Sequence, residues 1–237
     1  RATQTSIPIM HRFETPTTDI LKPVKHNLPS QLTNFVGREA EITELNSLIT
    51  DSGVRLITIA GPGGMGKTRL AVETARNQLD RFEDGVYLVE LAPLNDGSGI
   101  PNAVADGVGY QFVTDGRSPI QQILDYLSNK HLLLLLDNFE HVIEGASFVG
   151  EILKVAENIQ ILVTSRQRLN LSAETIFNLQ GMDFPEWETP DDALQYASVK
   201  LFLQSAHRAV PDFEITSRNM DAIARICKQV QGLPLGI

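Results

Sequence analysis

Gly61-Pro62-Gly63-Gly64-Met65-Gly66-Lys67-Thr68 is the stretch that decides how this chain folds. It follows the apolar run 54–60 and opens a helix-like stretch over 67–79, the order of a phosphate-binding loop set between strand and helix. The glycines are required because the backbone must turn tightly enough to aim successive N–H groups at one anion, where a Cβ would clash. The anion then meets a helix N-terminus, whose unpaired N–H groups and positive dipole end favour it. Lys67 is placed to reach β- and γ-phosphates, and the Thr68 hydroxyl to ligate Mg²⁺. Gly61, Gly63, Gly64, Met65, Gly66, Lys67, Thr68 and Arg69 are therefore the expected phosphate-side contacts.

Downstream, the apolar run 132–136 is too short for a membrane span and suits a central strand covered on both faces. It delivers Asp137 to the strand's C-terminal end, where ligands bind in open α/β sheets. An apolar run ending in Asp is common by itself; with the upstream loop it implies a carboxylate holding Mg²⁺ opposite Thr68. The next residue is Asn138 rather than a second acid. An amide positions water but cannot accept its proton, so hydrolysis is expected to be slow unless Glu140 or His141 substitutes. Glu140 is the better candidate, with a solvated surface role as its alternative, and His141 is expected to pack or hydrogen-bond locally. Thr164-Ser165-Arg166 ends the following strand and puts a guanidinium at the same sheet edge, either as a γ-phosphate sensor or as an ordinary surface arginine. Lys67, Asp137, Glu140 and Arg166 are the catalytic candidates. Asn129-Lys130-His131-Leu132 precedes a strand and lacks the aspartate that guanine recognition needs, so adenine is the expected base.

A net charge of −9 argues against broad electrostatic attraction to nucleic acid or anionic membrane. The single cysteine, Cys227, excludes an internal disulfide framework, fits a reducing compartment, and is spaced with Ile223, Ile226 and Val230 as a buried helical position. No run approaches the roughly 20 apolar residues of a membrane helix, and no secretory signal is legible, so a cytoplasmic location is expected. The chain starts at Arg1 and stops at Ile237 within apolar sequence, and reads as a piece of something longer.

Residues 1–30, rich in Thr and Pro, read as a linker or surface strap. Residues 31–183 read as the nucleotide-binding domain, with a helix over 37–50, strands at 86–91, 159–164 and 175–179, and helices at about 118–128 and 144–156. The helix at 118–128 opens on Ser118-Pro119-Ile120-Gln121, a capping box with proline at the first helical position. Alternating strands and helices imply parallel pairing through right-handed crossovers, hence a doubly wound, mostly parallel α/β sheet with an edge strand at 175–179. Residues 184–237 read as a small helical lid. One helix starts at Thr189-Pro190-Asp191-Asp192 and carries Leu194, Ala197, Leu201, Phe202, Ala206 and Ala209; a second carries Met220 to Val230 and ends at Gly232 and Pro234.

Taken with Phe35-Val36-Gly37-Arg38-Glu39, Leu136-Asp137-Asn138-Phe139-Glu140-His141 and Gly232-Leu233-Pro234-Leu235, the set resembles the STAND class of signal-transduction ATPases, near the NB-ARC domains and bacterial regulators with an LDNFEH motif. The resemblance covers the chain from about Leu32 to its end, in the family's order. It implies adenine nucleotide clamped between the α/β domain and the lid, with Val36 and Arg38 beside the base and Pro234 packing from the lid side; a plain helix stop is the alternative reading of Pro234. It also implies a switch in which a closed ADP form gives way, on exchange for ATP, to a self-associating form that activates a fused effector. A winged-helix domain would follow residue 237, and sensor and effector domains would lie outside this chain. The competing expectations are an AAA-type remodelling ATPase, a small-molecule kinase, or a DNA-binding regulator with nucleotide binding as a minor feature.

Overall fold

The structure, a computed structural model, describes residues 25–30, 33–185 and 190–237. Residues 1–24 of the linker or strap expected over 1–30, the starting point near Leu32 and the helix-opening Thr189 lie outside them. Strands β1 (Leu56–Ala60), β2 (Gly85–Glu90), β3 (Leu132–Asp137), β4 (Gln160–Ser165) and β5 (Glu174–Asn178) form a sheet in the order β2-β3-β4-β1-β5. Every pairing is parallel. Helices α1 (Glu39–Thr50) and α2 (Lys67–Arg76) cover one face; α3 (Ile100–Val108), α4 (Pro119–Leu127) and α5 (Ala146–Val155) cover the other. The doubly wound, phosphate-loop architecture is thus the one the sequence implies.

The pleat explains the two cores. Leu132, Leu134 and Leu136 of β3 join the cluster under α3 to α5, while Leu133 and Leu135 join the cluster under α1 and α2, so a strand apolar at each of these positions is buried on both faces. This order also makes β3, β4 and β1 neighbours. Their C-terminal ends deliver Asp137, Arg166 and the phosphate loop to one stretch of sheet edge.

Helix α4 starts as expected, with the Ser118 hydroxyl accepting from the Gln121 amide and the Gln121 side chain accepting from the Ser118 amide. Helix α3 has no counterpart in the sequence reading. Pro101, Asn102, Asp106 and Gly107 are poor helix formers, and the reason for Gly107 is tertiary: a Cβ there would lie 2.9 Å from Val89 Cγ2. The helix expected from residue 144 begins at Ala146 behind a 3₁₀ turn, Ile143–Gly145. That turn is shaped by its neighbour, because the Glu144 carboxylate accepts from the Gly97 amide at 2.9 Å.

Residues 25–30 lie along the β2 edge, where His26 pairs in parallel with Val86. Asn27 extends the pattern with its side chain, accepting from the Leu88 amide at 2.6 Å and donating to the Leu88 carbonyl at 2.8 Å.

Beyond the sheet, α6 (Pro190–Ala193), α7 (Ala197–Ala209) and α8 (Ser217–Gln229) bury Ala193, Val199, Met220, Ile223 and Cys227 among themselves. Burial pushes the Cys227 thiol up from its ordinary value, which suits inert packing. The single helix expected from residue 189 to 209 is broken between α6 and α7. Gln195 and Tyr196 turn back on Asp192 and Ala193, and the Ser198 amide bonds the Asp183 carbonyl at 3.2 Å instead of continuing an unbroken helical ladder.

Candidate nucleotide-binding site

Between β1 and α2 the loop turns through two left-handed glycines, Gly64 at φ 81° and Gly66 at φ 83°, conformations that L side chains rarely adopt. Gly66 caps α2, so the amides at the helix start have no helical acceptor and converge on the loop's interior. Space is restricted as the sequence demands. A Cβ on Gly61 would lie 3.0 Å from the Leu179 carbonyl, and one on Gly63 would lie 3.4 Å from the Arg166 guanidinium. A loop of this shape can cradle an anion on backbone amides.

Lys67 is buried, and its ammonium donates to the carbonyls of Gly61 at 2.8 Å and Pro62 at 3.0 Å. Burial lowers its pKa from the ordinary lysine value, opposed by Glu140, reinforced by Arg166 and opposed again by Asp137. The cation is held by two neutral oxygens at the mouth of a cradle of N–H groups, where phosphate oxygens would supply the missing charge.

Across the edge, Asp137 Oδ1 accepts from the Thr68 hydroxyl at 2.7 Å and from the Thr164 hydroxyl at 2.5 Å. Thr164 in turn accepts from the Asn138 amide at 3.0 Å. The ends of β3 and β4 are thereby tied into one chain of hydrogen bonds that ends on the first turn of α2. Asn138 adopts the left-handed region at φ 61°, which asparagine tolerates better than most residues, and it turns the chain so that Phe139 enters the core. His141 anchors the loop after β2 through a 3.0 Å hydrogen bond to the Leu91 carbonyl, the local role expected of it.

Arg166 donates through Nε to Glu140 Oε1 at 3.0 Å, while Glu140 Oε2 is buried with no hydrogen-bond partner. The guanidinium also lies against Gly63, so one arginine spans the phosphate loop and the candidate base. An unpartnered buried carboxylate oxygen beside the cradle is a natural place to hold a water.

The lid closes the other side. The Leu235 amide donates to the Gly64 carbonyl at 3.2 Å, and Pro234 faces Gly66. Val36, Arg38, Met65, Arg69 and Pro234 meet in a cleft shared with Leu201 and Met182. The cleft holds about 50 Å³, room for a water or two. A purine would fit there only if the lining moved apart. The Arg38 guanidinium is committed to Glu41 at 2.5 Å and to the Gln180 carbonyl at 2.6 Å, leaving its stem to line the cleft. Arg69 is turned to the Thr33 and Asn34 carbonyls and lies over the Phe35 ring.

All the sequence-selected positions converge on two adjoining places: Gly61 to Thr68, Asp137, Glu140 and Arg166 at the sheet edge, and Val36, Arg38, Met65, Arg69 and Pro234 in the cleft. Thr164 and Leu235 belong to the site by contact, although neither had been assigned a role. The signal for Thr164 was its place at the end of the strand beside the one bearing Asp137; for Leu235 it was the apolar pair that frames Pro234. Among the described residues no group of three His, Cys, Asp or Glu could hold a metal. A hydroxyl and a carboxylate 2.7 Å apart beside a phosphate cradle are what Mg²⁺ uses when phosphates and water supply its remaining oxygens.

The family model described as AAA domain matches residues 50–175, more than half the chain. This protein belongs to the AAA domain family. The AAA domain is similar to an uncharacterized protein of Mycobacterium tuberculosis, 30% identical over 90% of this chain and 51% of that one. It is also similar to a putative HTH-type transcriptional regulator of the same organism, 33% identical over 77% of this chain and 19% of that protein. The chain thus spans about half the length of the first relative and a fifth of the second. Its fold is similar to that of the Signal Transduction ATPase with Numerous Domains (STAND) protein with a tetratricopeptide repeat sensor from Pyrococcus horikoshii. That likeness has a TM-score of 0.50 at 16% identity, covering 90% of this chain and 30% of that one. The recognition of a STAND-like nucleotide-binding module from its motifs stands beside these findings.

Proposed function

We propose that this chain is the nucleotide-binding module of a STAND-type regulator, a switch whose state is set by whether ADP or ATP lies between sheet edge and lid. The observation that carries this reading is Arg166, which touches both the phosphate loop at Gly63 and Glu140. A guanidinium so placed gains charge-assisted hydrogen bonds from a third phosphate that a diphosphate cannot offer, and differential contact of this kind is what shifts a conformational equilibrium. Mg²⁺ held by Thr68 and Asp137 would offset triphosphate charge. Lys67 would give up the Gly61 and Pro62 carbonyls for phosphate oxygens.

Glu140 orients water through its free oxygen, with Asn138 beside it as an amide rather than an acid. Slow hydrolysis follows, suited to timing a signal. In the whole protein, release of the Leu235 to Gly64 contact frees the lid, permits self-association and passes the signal to effector and sensor domains beyond this chain. The putative HTH-type regulator among the relatives supports a role in transcription control, with DNA contact left to another domain. No helix among the described residues is long and apolar enough to cross a membrane, and with a lone cysteine a cytoplasmic setting fits.

Arg166→Ala tests the reading. Titration with each nucleotide in magnesium is expected to show ATP affinity falling by about tenfold, the scale of one lost charged hydrogen bond, and ADP affinity falling by less than about threefold. Equal losses for the two nucleotides would remove the sensor.

A further inference from the structure

Helix α2 does more than present Lys67 and Thr68. On its outer face Arg76 donates to the Pro29 carbonyl at 2.6 Å, and two turns earlier Arg69 donates to the Thr33 carbonyl at 2.8 Å and the Asn34 carbonyl at 2.7 Å. The segment leading into the cleft is thereby strapped to the phosphate-loop helix just before Phe35 and Val36, which line the cleft. The Asn34 carbonyl has a second donor from the opposite body: Gln204 Nε2 of α7 reaches it at 3.1 Å. Gln204 lies one turn after Leu201, a cleft-lining residue, and is not itself part of the lining. At the start of the same helix, a Cβ on Gly37 would lie 2.6 Å from Ala197 Cβ, so α7 rests on the segment that Arg69 holds.

We propose that the Asn34 carbonyl is a latch, shared by Arg69 of the phosphate-loop helix and Gln204 of the lid, and that Gln204 sets how long a bound adenine nucleotide is retained. This rests on the nucleotide reading above and adds to it a residue, remote from the phosphates, that governs release. Because Leu201 of α7 is one wall of a cleft too tight for a purine, widening it for release draws on α7, and withdrawal of α7 breaks the Gln204 bond. The side-chain amide acts as a positioning group, donating one N–H to an oxygen that Arg69 holds in place from the other side.

The test is the dissociation of a fluorescent ADP analogue, followed by stopped flow after mixing with excess unlabelled ADP. Gln204→Glu keeps the shape and removes the donor; Gln204→Lys restores a donor at similar reach. Release is expected to be about three- to tenfold faster in the glutamate variant, within the range of one lost hydrogen bond, and within about twofold of the native rate in the lysine variant. Association passes through the same opening and is expected to be no slower in either variant. A native release rate in Gln204→Glu would overturn the latch, as would a lysine variant as fast as the glutamate one. Failure of the unaltered protein to take up the analogue at all would instead remove the nucleotide reading, and the latch with it.

Discussion

Lys67 carries a cost that a bound anion would offset. Burial holds its ammonium below the ordinary lysine value, so over part of the alkaline range the folded protein binds fewer protons than the unfolded chain. The resulting penalty is complete below the folded pKa, shrinks as pH rises from there to the unfolded value, and is gone above it. In its charged form the side chain is a buried cation donating to two neutral carbonyls, with Glu140 and Asp137 opposing the cost of its burial only in part. Lys67→Met is expected to leave the nucleotide-free melting temperature equal to or above that of the native protein while abolishing nucleotide uptake. A scanning-calorimetry melt several degrees lower would show the lysine to be a structural support instead. The residues that could be read in advance were those whose chemistry is local: glycines in a turn, a lysine and a hydroxyl at a helix start, an acid at a strand end. Thr164 could not be assigned, because its function comes from β3 and β4 being neighbours, a fact of sheet order that no spacing along the chain contains.

At the scale of elements, strands and capped helices were legible because their signals are periodic or stereochemical. The Ser118 capping box and the β3 run both appear where their residues demand. Helix α3 escaped notice because Gly107, which lowers its helix propensity, is there to let the helix approach Val89. The break between α6 and α7 escaped because a tertiary bond from Ser198 to Asp183 overrides an apolar stripe that runs on through it. The same kind of close approach joins lid to sheet. The segments at Gly181-Met182 and Gln231-Gly232 cross so tightly that a Cβ on Gly232 would strike the Met182 carbonyl, at a φ of 64°. Gly116, by contrast, has a φ of 84° with nothing within 4 Å of its would-be Cβ. Gly116→Ala is expected to cost about 1–2 kcal/mol from backbone strain alone and to leave ADP affinity intact. Gly232→Ala is expected to cost more, to weaken ADP binding, and to speed amide exchange over residues 230–237. Equal behaviour of the two variants would show that the crossing does not hold the lid on the phosphate loop.

For the whole molecule, the sheet edge supplies amides, cation, hydroxyl and carboxylate in one place, and the lid supplies a cover that meets the phosphate loop through Leu235 and the Asn34 carbonyl through Gln204. What the chain's order of motifs could not reveal is how tightly that cover is shut, since the cleft's volume depends on side chains from five separate segments. Under the proposed function, an AAA domain with an amide in place of a second acid, and with its base side closed, would hold nucleotide for long periods and turn it over seldom. The most direct test is titration calorimetry of the folded, nucleotide-free protein with ADP and with ATP in the presence of magnesium, alongside Lys67→Ala. The account predicts one site per chain for each nucleotide in the native protein and no measurable heat of binding in the variant. Uptake of neither nucleotide by the folded native protein, or equal uptake by the variant, would contradict it.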